Sequence, residues 1–148
     1  MDIAACTESD LRDWAALRLA LWPHQPVSVR FSECEAMLLS GSDVSLQLIA
    51  RVDGGQAAGF AEASVRRDYV NGCTTSPVAF LEGIYVRPEN RTSGIGQSLV
   101  AAIIEWARSL GLTEFASDAS IDDDVSHRFH RAVGFVETER VVFFGRSI

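Results

Sequence analysis

The segment from Val78 to Leu110 most constrains how this chain can fold. Val78–Val86 is largely apolar and reads as a buried strand, interrupted by Glu82-Gly83. Arg91-Thr92-Ser93-Gly94-Ile95-Gly96 then opens a strong helix. Leu99, Val100, Ile103, Ile104, Trp106, Ala107 and Leu110 mark the buried side of that helix. Gly111 suits the position just past the helix end, where a left-handed backbone is common. A strand that feeds an amphipathic helix through a glycine loop belongs to a mixed α/β domain built around one sheet.

The flanking sequence extends that sheet. Val44, Leu46, Leu48, Ala50 and Val52 alternate with polar positions, the pattern of a half-buried strand. Asp53-Gly54-Gly55 is expected to turn the chain into a partner strand from Gln56 to about Val65. Upstream, a short strand is expected at Asp2–Ala5. Thr7 is then expected to cap a helix bearing Leu11, Trp14, Leu17 and Leu21, stopped by Pro23. A second helix is expected after Ser32, ending at Gly41. Asp68 to Pro77, with Asn71-Gly72, reads as a loop. Downstream, Glu114–Asp118 reads as a short strand. Asp122-Asp123-Asp124 suits the start of a helix running to about Val133. Val141–Phe144 is expected to form the last strand. Nothing resembles a repeat or a linker, so residues 1–148 read as a single domain.

Composition narrows the partners. The net charge is −7, and all 13 basic residues are Arg. Nucleic-acid binding rests on neutralising phosphates, so no nucleic-acid partner is expected. Cationic ligands suit the charge better, although acidity also serves solubility. No apolar run reaches the roughly 18 residues of a membrane span. The opening Met1-Asp2-Ile3 lacks signal-peptide character, which makes cytoplasm the expected location. Cys6, Cys34 and Cys73 are odd in number and widely spaced. Neither a disulfide framework nor a metal site is expected from them. Asp2, Glu8, Asp10 and Asp13 read as solvated surface acids.

The glycine loop carries the first chemical hint. Successive N–H groups at a helix start favour anions, particularly phosphate. Gly94 and Gly96 would let a ligand approach the backbone closely. No Gly-Lys-Ser/Thr follows, and there is no third glycine in GxGxxG spacing, so nucleotide hydrolysis and dinucleotide binding are disfavoured.

Ile84-Tyr85-Val86-Arg87-Pro88 followed by Arg-x-x-Gly-x-Gly resembles the acetyl-CoA pyrophosphate signature of the GNAT N-acetyltransferases. Phe129-His130-Arg131-Ala132-Val133-Gly134-Phe135 is similar to that superfamily's helix ending in Gly-Phe. Further segments resemble the chromosomal-type aminoglycoside 6′-N-acetyltransferases. These are Leu21-Trp22-Pro23, Asp68 to Cys73, Phe80 to Ile84, Ala116-Ser117-Asp118 and Glu137 to Val141. The resemblance spans almost the whole chain.

That resemblance implies the GNAT acyl-CoA N-acyltransferase fold, a mostly antiparallel central sheet flanked by helices. It implies acetyl transfer from acetyl-CoA to the 6′-amino group of an aminoglycoside, without a metal. Trp22, Tyr69, Glu82, Asp118 and Glu139 would line the antibiotic site. Backbone at Ile84, Tyr85 and Val86 would hold the pantetheine arm. Thr92, Ser93, Gly94, Ile95, Gly96 and Gln97 would hold the pyrophosphate. Asp123 stands where the family usually has an Asn that contacts the coenzyme. His24-Gln25 is transposed relative to the family pattern. His130 stands where many GNAT enzymes carry the Tyr that protonates the leaving thiolate. Related enzymes are often homodimers, and edge strands late in the chain would suit one.

The same carboxylates are singled out by chemistry. An amine attacks a thioester only when deprotonated, so a nearby carboxylate is needed to accept its proton. Glu82 lies mid-strand among apolar neighbours, where an acid is either a satisfied structural group or part of a site. Asp118 ends a strand, where ligand sites gather, although it could instead cap the next helix. Glu82 and Asp118 are therefore the expected catalytic pair. A bulge near Gly83 would free a backbone N–H, at Ile84 or a neighbour, to stabilise the oxyanion. Two other readings stand beside this one: a GNAT enzyme for another amine such as a polyamine, and a non-catalytic acyl-CoA or antibiotic-binding module.

Overall fold

A computed structural model describes residues 1–148. The elements follow the order β1 (Asp2–Ala5), α1 (Leu11–Leu21), α2 (Val27–Leu38), β2 (Ser45–Arg51), β3 (Ala57–Arg66), β4 (Val78–Val86), α3 (Ile95–Ser109), β5 (Phe115–Ser117) and α4 (Asp124–Ala132). The strands form one sheet in the order β1-β2-β3-β4-β5. Every neighbouring pair is antiparallel except β4 and β5, which run parallel. The expected mixed sheet is thus present.

Each face of the sheet has its own core. On one face Trp14, Ala15 and Leu17 of α1 and Cys34 of α2 pack on Ile49, Ala57 and Phe60. On the other, Ile95, Leu99 and Ile103 of α3 pack on Leu48, Ala50, Ala61, Ala63 and Leu81. The alternation read in β2 separates these two sets, with Leu48 and Ala50 facing α3 and Ile49 facing α1.

Four expectations are corrected. The second helix starts at Val27, not after Ser32. Ser28, Arg30, Glu33 and other polar residues there hide the helical period, while Pro26 sets its start. Thr7 caps a short 3₁₀ turn, Glu8–Asp10, which leads into α1. Asp10 is not a solvated acid: it is 8% exposed and paired with Arg51 at 2.7 Å. Residues 141–144 form no strand; Val142, Phe143 and Phe144 have no neighbouring strand to pair with and are 77%, 89% and 94% exposed.

Candidate active site

The sheet changes character at Glu82. In the pairing of β3 with β4, Glu62 faces Gly83 but Ala63 faces Leu81, so Glu82 is an extra residue on β4. Such a bulge breaks the strict alternation of faces. Glu82 and Gly83 both point to the face that carries α1. Glu82 meets Ser64 and Arg66 there, and Gly83 meets Trp22 and Leu21. This is the interruption expected from the sequence, in the form of an inserted residue.

The carboxylate of Glu82 is held from below. Arg66 donates to it from both Nε (3.0 Å) and Nη2 (2.8 Å), and Ser64 Oγ lies 2.5 Å away. The Arg66 guanidinium lies 3.5 Å from the centre of the Phe80 ring. Glu82 is exposed to solvent, so it is not a core acid. The charges of Glu82 and Asp118 both hold the Arg66 pKa above its ordinary value, so Asp118 lies within electrostatic reach.

Trp22 sits beside this cluster and is fixed from several directions. Its ring meets Phe60 edge-on at 6.0 Å, and the Arg18 guanidinium stands 4.8 Å from its centre. Arg30 donates to its carbonyl from Nη2 at 2.8 Å. Arg18 in turn binds the buried Glu62, which also accepts from Trp14 Nε1 at 2.8 Å. Burial holds the Glu62 carboxyl above its ordinary range, and Arg18 and Trp14 offset only part of that. Desolvation would weaken the Arg18 charge, but Glu62 more than compensates and the guanidinium stays ionised. Neither Glu62 nor Arg66 was singled out from the sequence. The alternation Phe60, Glu62, Ser64, Arg66 along β3 was the available signal, since these side chains share Glu82's face.

The remaining expected residues divide. Asp118 and Glu139 line one cleft of about 680 Å³, with Ser117, His130, Gly72 and Thr138 also on its wall. Gly72 has φ +83°, and a Cβ there would lie 2.3 Å from Thr138 Oγ1, so the loop and the C-terminal segment meet closely. Trp22, Tyr69 and Glu82 are not on that wall. Tyr69 is 78% exposed in the loop between β3 and β4.

A second surface is poised for an anion. Gly94 caps α3 in a left-handed conformation, φ 85°, and Thr92 has φ 68°. The backbone N–H groups from Thr92 to Gln97 donate to no protein acceptor. Thr92 and Ser93 instead turn their hydroxyls onto the carbonyls of Arg91 and Asn90. A Cβ at Gly96 would lie 2.8 Å from the Phe129 ring, so its smallness also seats α4. Asp123 caps α4, accepting from Ser126 N–H at 3.0 Å. Between this loop and Glu82, the outer edge of β4 is open, because β5 pairs only with Ala79–Leu81. Along that edge Ile84 and Val86 have no strand partner, and the Val86 carbonyl accepts from Arg91 Nε at 2.9 Å.

His130 has both ring nitrogens engaged. Nδ1 lies 2.7 Å from the carbonyl of Ser126, which can only accept, so Nδ1 carries the proton. Nε2 then accepts from the Ser117 hydroxyl at 2.8 Å. No group of His, Cys, Asp and Glu is arranged to hold a metal ion.

Residues 7–135 match the acetyltransferase (GNAT) family. The chain belongs to that family. It is 50% identical over 149 residues to aminoglycoside N(6′)-acetyltransferase type 1 of Acinetobacter baumannii, covering 100% of this chain and 99% of that protein. The enzyme of the same name from Salmonella enteritidis is 44% identical, with 97% of each covered. The crystal structure of the aminoglycoside 6′-N-acetyltransferase AAC(6′)-Ih from Acinetobacter baumannii superposes with a TM-score of 0.93 at 49% identity, over 99% of this chain and 98% of that one. AAC(6′)-Iy in complex with the bisubstrate analogue CoA-S-monomethyl-acetylneamine gives 0.92 at 43% identity, over 99% and 98% of the two chains. This GNAT chain is thus a member of the aminoglycoside N(6′)-acetyltransferases.

Proposed function

We propose that this chain transfers the acetyl group of acetyl-CoA to the 6′-amino group of an aminoglycoside antibiotic, by direct attack in a ternary complex. One observation carries the reading. The edge of β4 left unpaired by β5 runs from the loop of free backbone N–H groups to Glu82 and Trp22, with Asp118 on the neighbouring cleft. A thioester laid along that edge from the loop would present its carbonyl beside the carboxylates.

The chain's residues divide the work. Thr92, Ser93, Gly94, Ile95, Gly96 and Gln97 supply backbone donors for the pyrophosphate, and Ile84, Tyr85 and Val86 hold the extended arm. The bulge at Glu82 offers a backbone N–H, at Ile84 or a neighbour, to the developing oxyanion. Trp22 gives a rigid face for a sugar ring, while Tyr69 and Glu139 rim the antibiotic. The 6′-ammonium must lose a proton before it attacks. Asp118 is exposed and hydrogen-bonded to no donor, so it is the proton acceptor, and Glu82 holds and orients the amine. At the leaving sulfur, His130 has no free N–H and the Ser117 hydroxyl gives its one proton to His130 Nε2, so the thiolate takes its proton from water.

We place the enzyme in the cytoplasm as a homodimer. The exposed Val142, Phe143 and Phe144 and the unpartnered edge of the three-residue strand β5 suit a second copy. Sedimentation of the intact chain against Phe143→Ser/Phe144→Ser tests this: a wild-type monomer removes it.

The activity is tested by thiol release from acetyl-CoA with a 6′-amino aminoglycoside and its 6′-hydroxyl counterpart. Release is expected with the first only. Turnover of other amines but of neither antibiotic would favour a different GNAT substrate. Binding without turnover would favour a binding module.

A further inference from the structure

The Glu82 carboxylate already has a cation. Arg66 reaches it with two donors, at 3.0 and 2.8 Å, and its guanidinium stands 3.5 Å from the ring centre of Phe80, which is 4% exposed. A guanidinium held by two charge-assisted bonds binds a carboxylate more firmly and more directionally than a single neutral donor does. Ser64 takes a further acceptor position on the same carboxylate. Asp118 and Glu139 form no ion pair, so the uncompensated negative charge of the site is theirs.

We propose that Arg66 is a specificity-determining residue: a resident counter-ion that masks Glu82 and so reserves the site for polyammonium substrates. This rests on the reading that Glu82 belongs to the amine site. A small amine arriving at Glu82 would exchange one cation for another and gain little. An aminoglycoside can meet Asp118 and Glu139 with other ammonium groups at the same time, and those contacts offset the exchange. Arg66 thus sets a cost at Glu82 common to every amine, and only a substrate with further ammonium groups for Asp118 and Glu139 offsets it. The resemblance places Glu82, Asp118 and Glu139 together at the antibiotic site, and the structure gives Glu82 a resident cation.

Steady-state kinetics with tobramycin and with the diamine putrescine test the proposal. Arg66→Met removes the charge while leaving an apolar chain over Phe80. Its KM for tobramycin is expected to fall at least threefold. Its kcat/KM for putrescine is expected to rise at least tenfold, and kcat/KM is expected to fall more steeply with salt. In a Glu82→Gln background the same change is expected to bring neither gain. A raised tobramycin KM with unchanged putrescine turnover, or gains that persist with Gln at position 82, would overturn the proposal. Should Arg66→Met fail to fold, Arg66→Gln carries the same expectation and the same refutation. Wild-type enzyme that releases no thiol with tobramycin would overturn the proposed function instead, which separates the two failures.

Discussion

The indole of Trp22 occupies the space that a side chain at Gly83 would need. A Cβ there would lie 2.4 Å from Cη2 and 2.7 Å from Cζ2 of the ring. Both residues owe this to the bulge, which turns Gly83 toward α1 beside Glu82. The contact ties the strand that would carry the thioester to the aromatic that would carry the sugar.

Gly83→Ala tests that coupling. The ring cannot slide freely, because Arg30 holds the Trp22 carbonyl and Arg18 stands over the ring. Overpacking of this kind costs about 1–3 kcal/mol. The thermal midpoint is expected to fall by several degrees. The KM for aminoglycoside is expected to rise well above any change in the KM for acetyl-CoA. Equal effects on both would show that Trp22 does not report on the amine site.

The buried ion pair beneath the site gives a stability prediction. Glu62 and Arg18 are 4% and 7% exposed. Removing one member of such a pair leaves a charge buried without a partner and costs about 3–5 kcal/mol. Glu62→Ala is expected to lower the denaturation midpoint accordingly. Glu62→Met with Arg18→Met, which removes both charges, is expected to recover much of the loss. A double variant as unstable as the single one would mean that the loss came from packing around Trp14.

The sequence was legible where apolar period and turn chemistry agreed. β4 has the bounds read from its composition, and α3 follows the loop as expected. Glu82-Gly83 was read as an interruption, and it is one. What could not be read was pairing across the sheet. Glu62 looked like any polar strand residue until α1 brought Trp14 and Arg18 over it. Arg66 was silent for the same reason, since its partner lies sixteen residues on. Asp10 was misread because its mate, Arg51, lies far along the chain at the end of β2. Residues 141–144 carry a strand's composition but have no neighbour in one copy of the chain to pair with.

Asp10 also sets a pH dependence. Burial alone would raise its pKa, but the hydrogen bonds from Arg51 and Thr7 outweigh that and hold it below the ordinary carboxylate value. A carboxyl depressed in the folded state contributes stability above its unfolded pKa of about 3.9, and that stability is lost as pH falls through the folded value. Stability measured by denaturant is therefore expected to fall below about pH 4. Asp10→Asn should be less stable at neutral pH, with a flatter acid limb. An unchanged acid limb in that variant would place the titration elsewhere.

The glycine loop gives a pair of substitutions with opposite signatures. Gly94 has φ +85° and nothing within 4 Å of a Cβ, so Gly94→Ala meets only backbone strain, about 1–2 kcal/mol. Relief of that strain would rotate the free N–H groups that follow it, so the KM for acetyl-CoA is expected to rise several-fold with the aminoglycoside KM unchanged. Gly96 has an ordinary φ, but its Cβ would strike the Phe129 ring at 2.8 Å. Gly96→Ala should therefore push α4 away, and with it His130 from Ser117. That variant is expected to lose kcat and thermal stability together, while Gly94→Ala keeps its kcat. Kinetics in both substrates, with melting curves for the two proteins, separate the outcomes. A Gly94→Ala enzyme with wild-type affinity for acetyl-CoA would remove the loop from the coenzyme site.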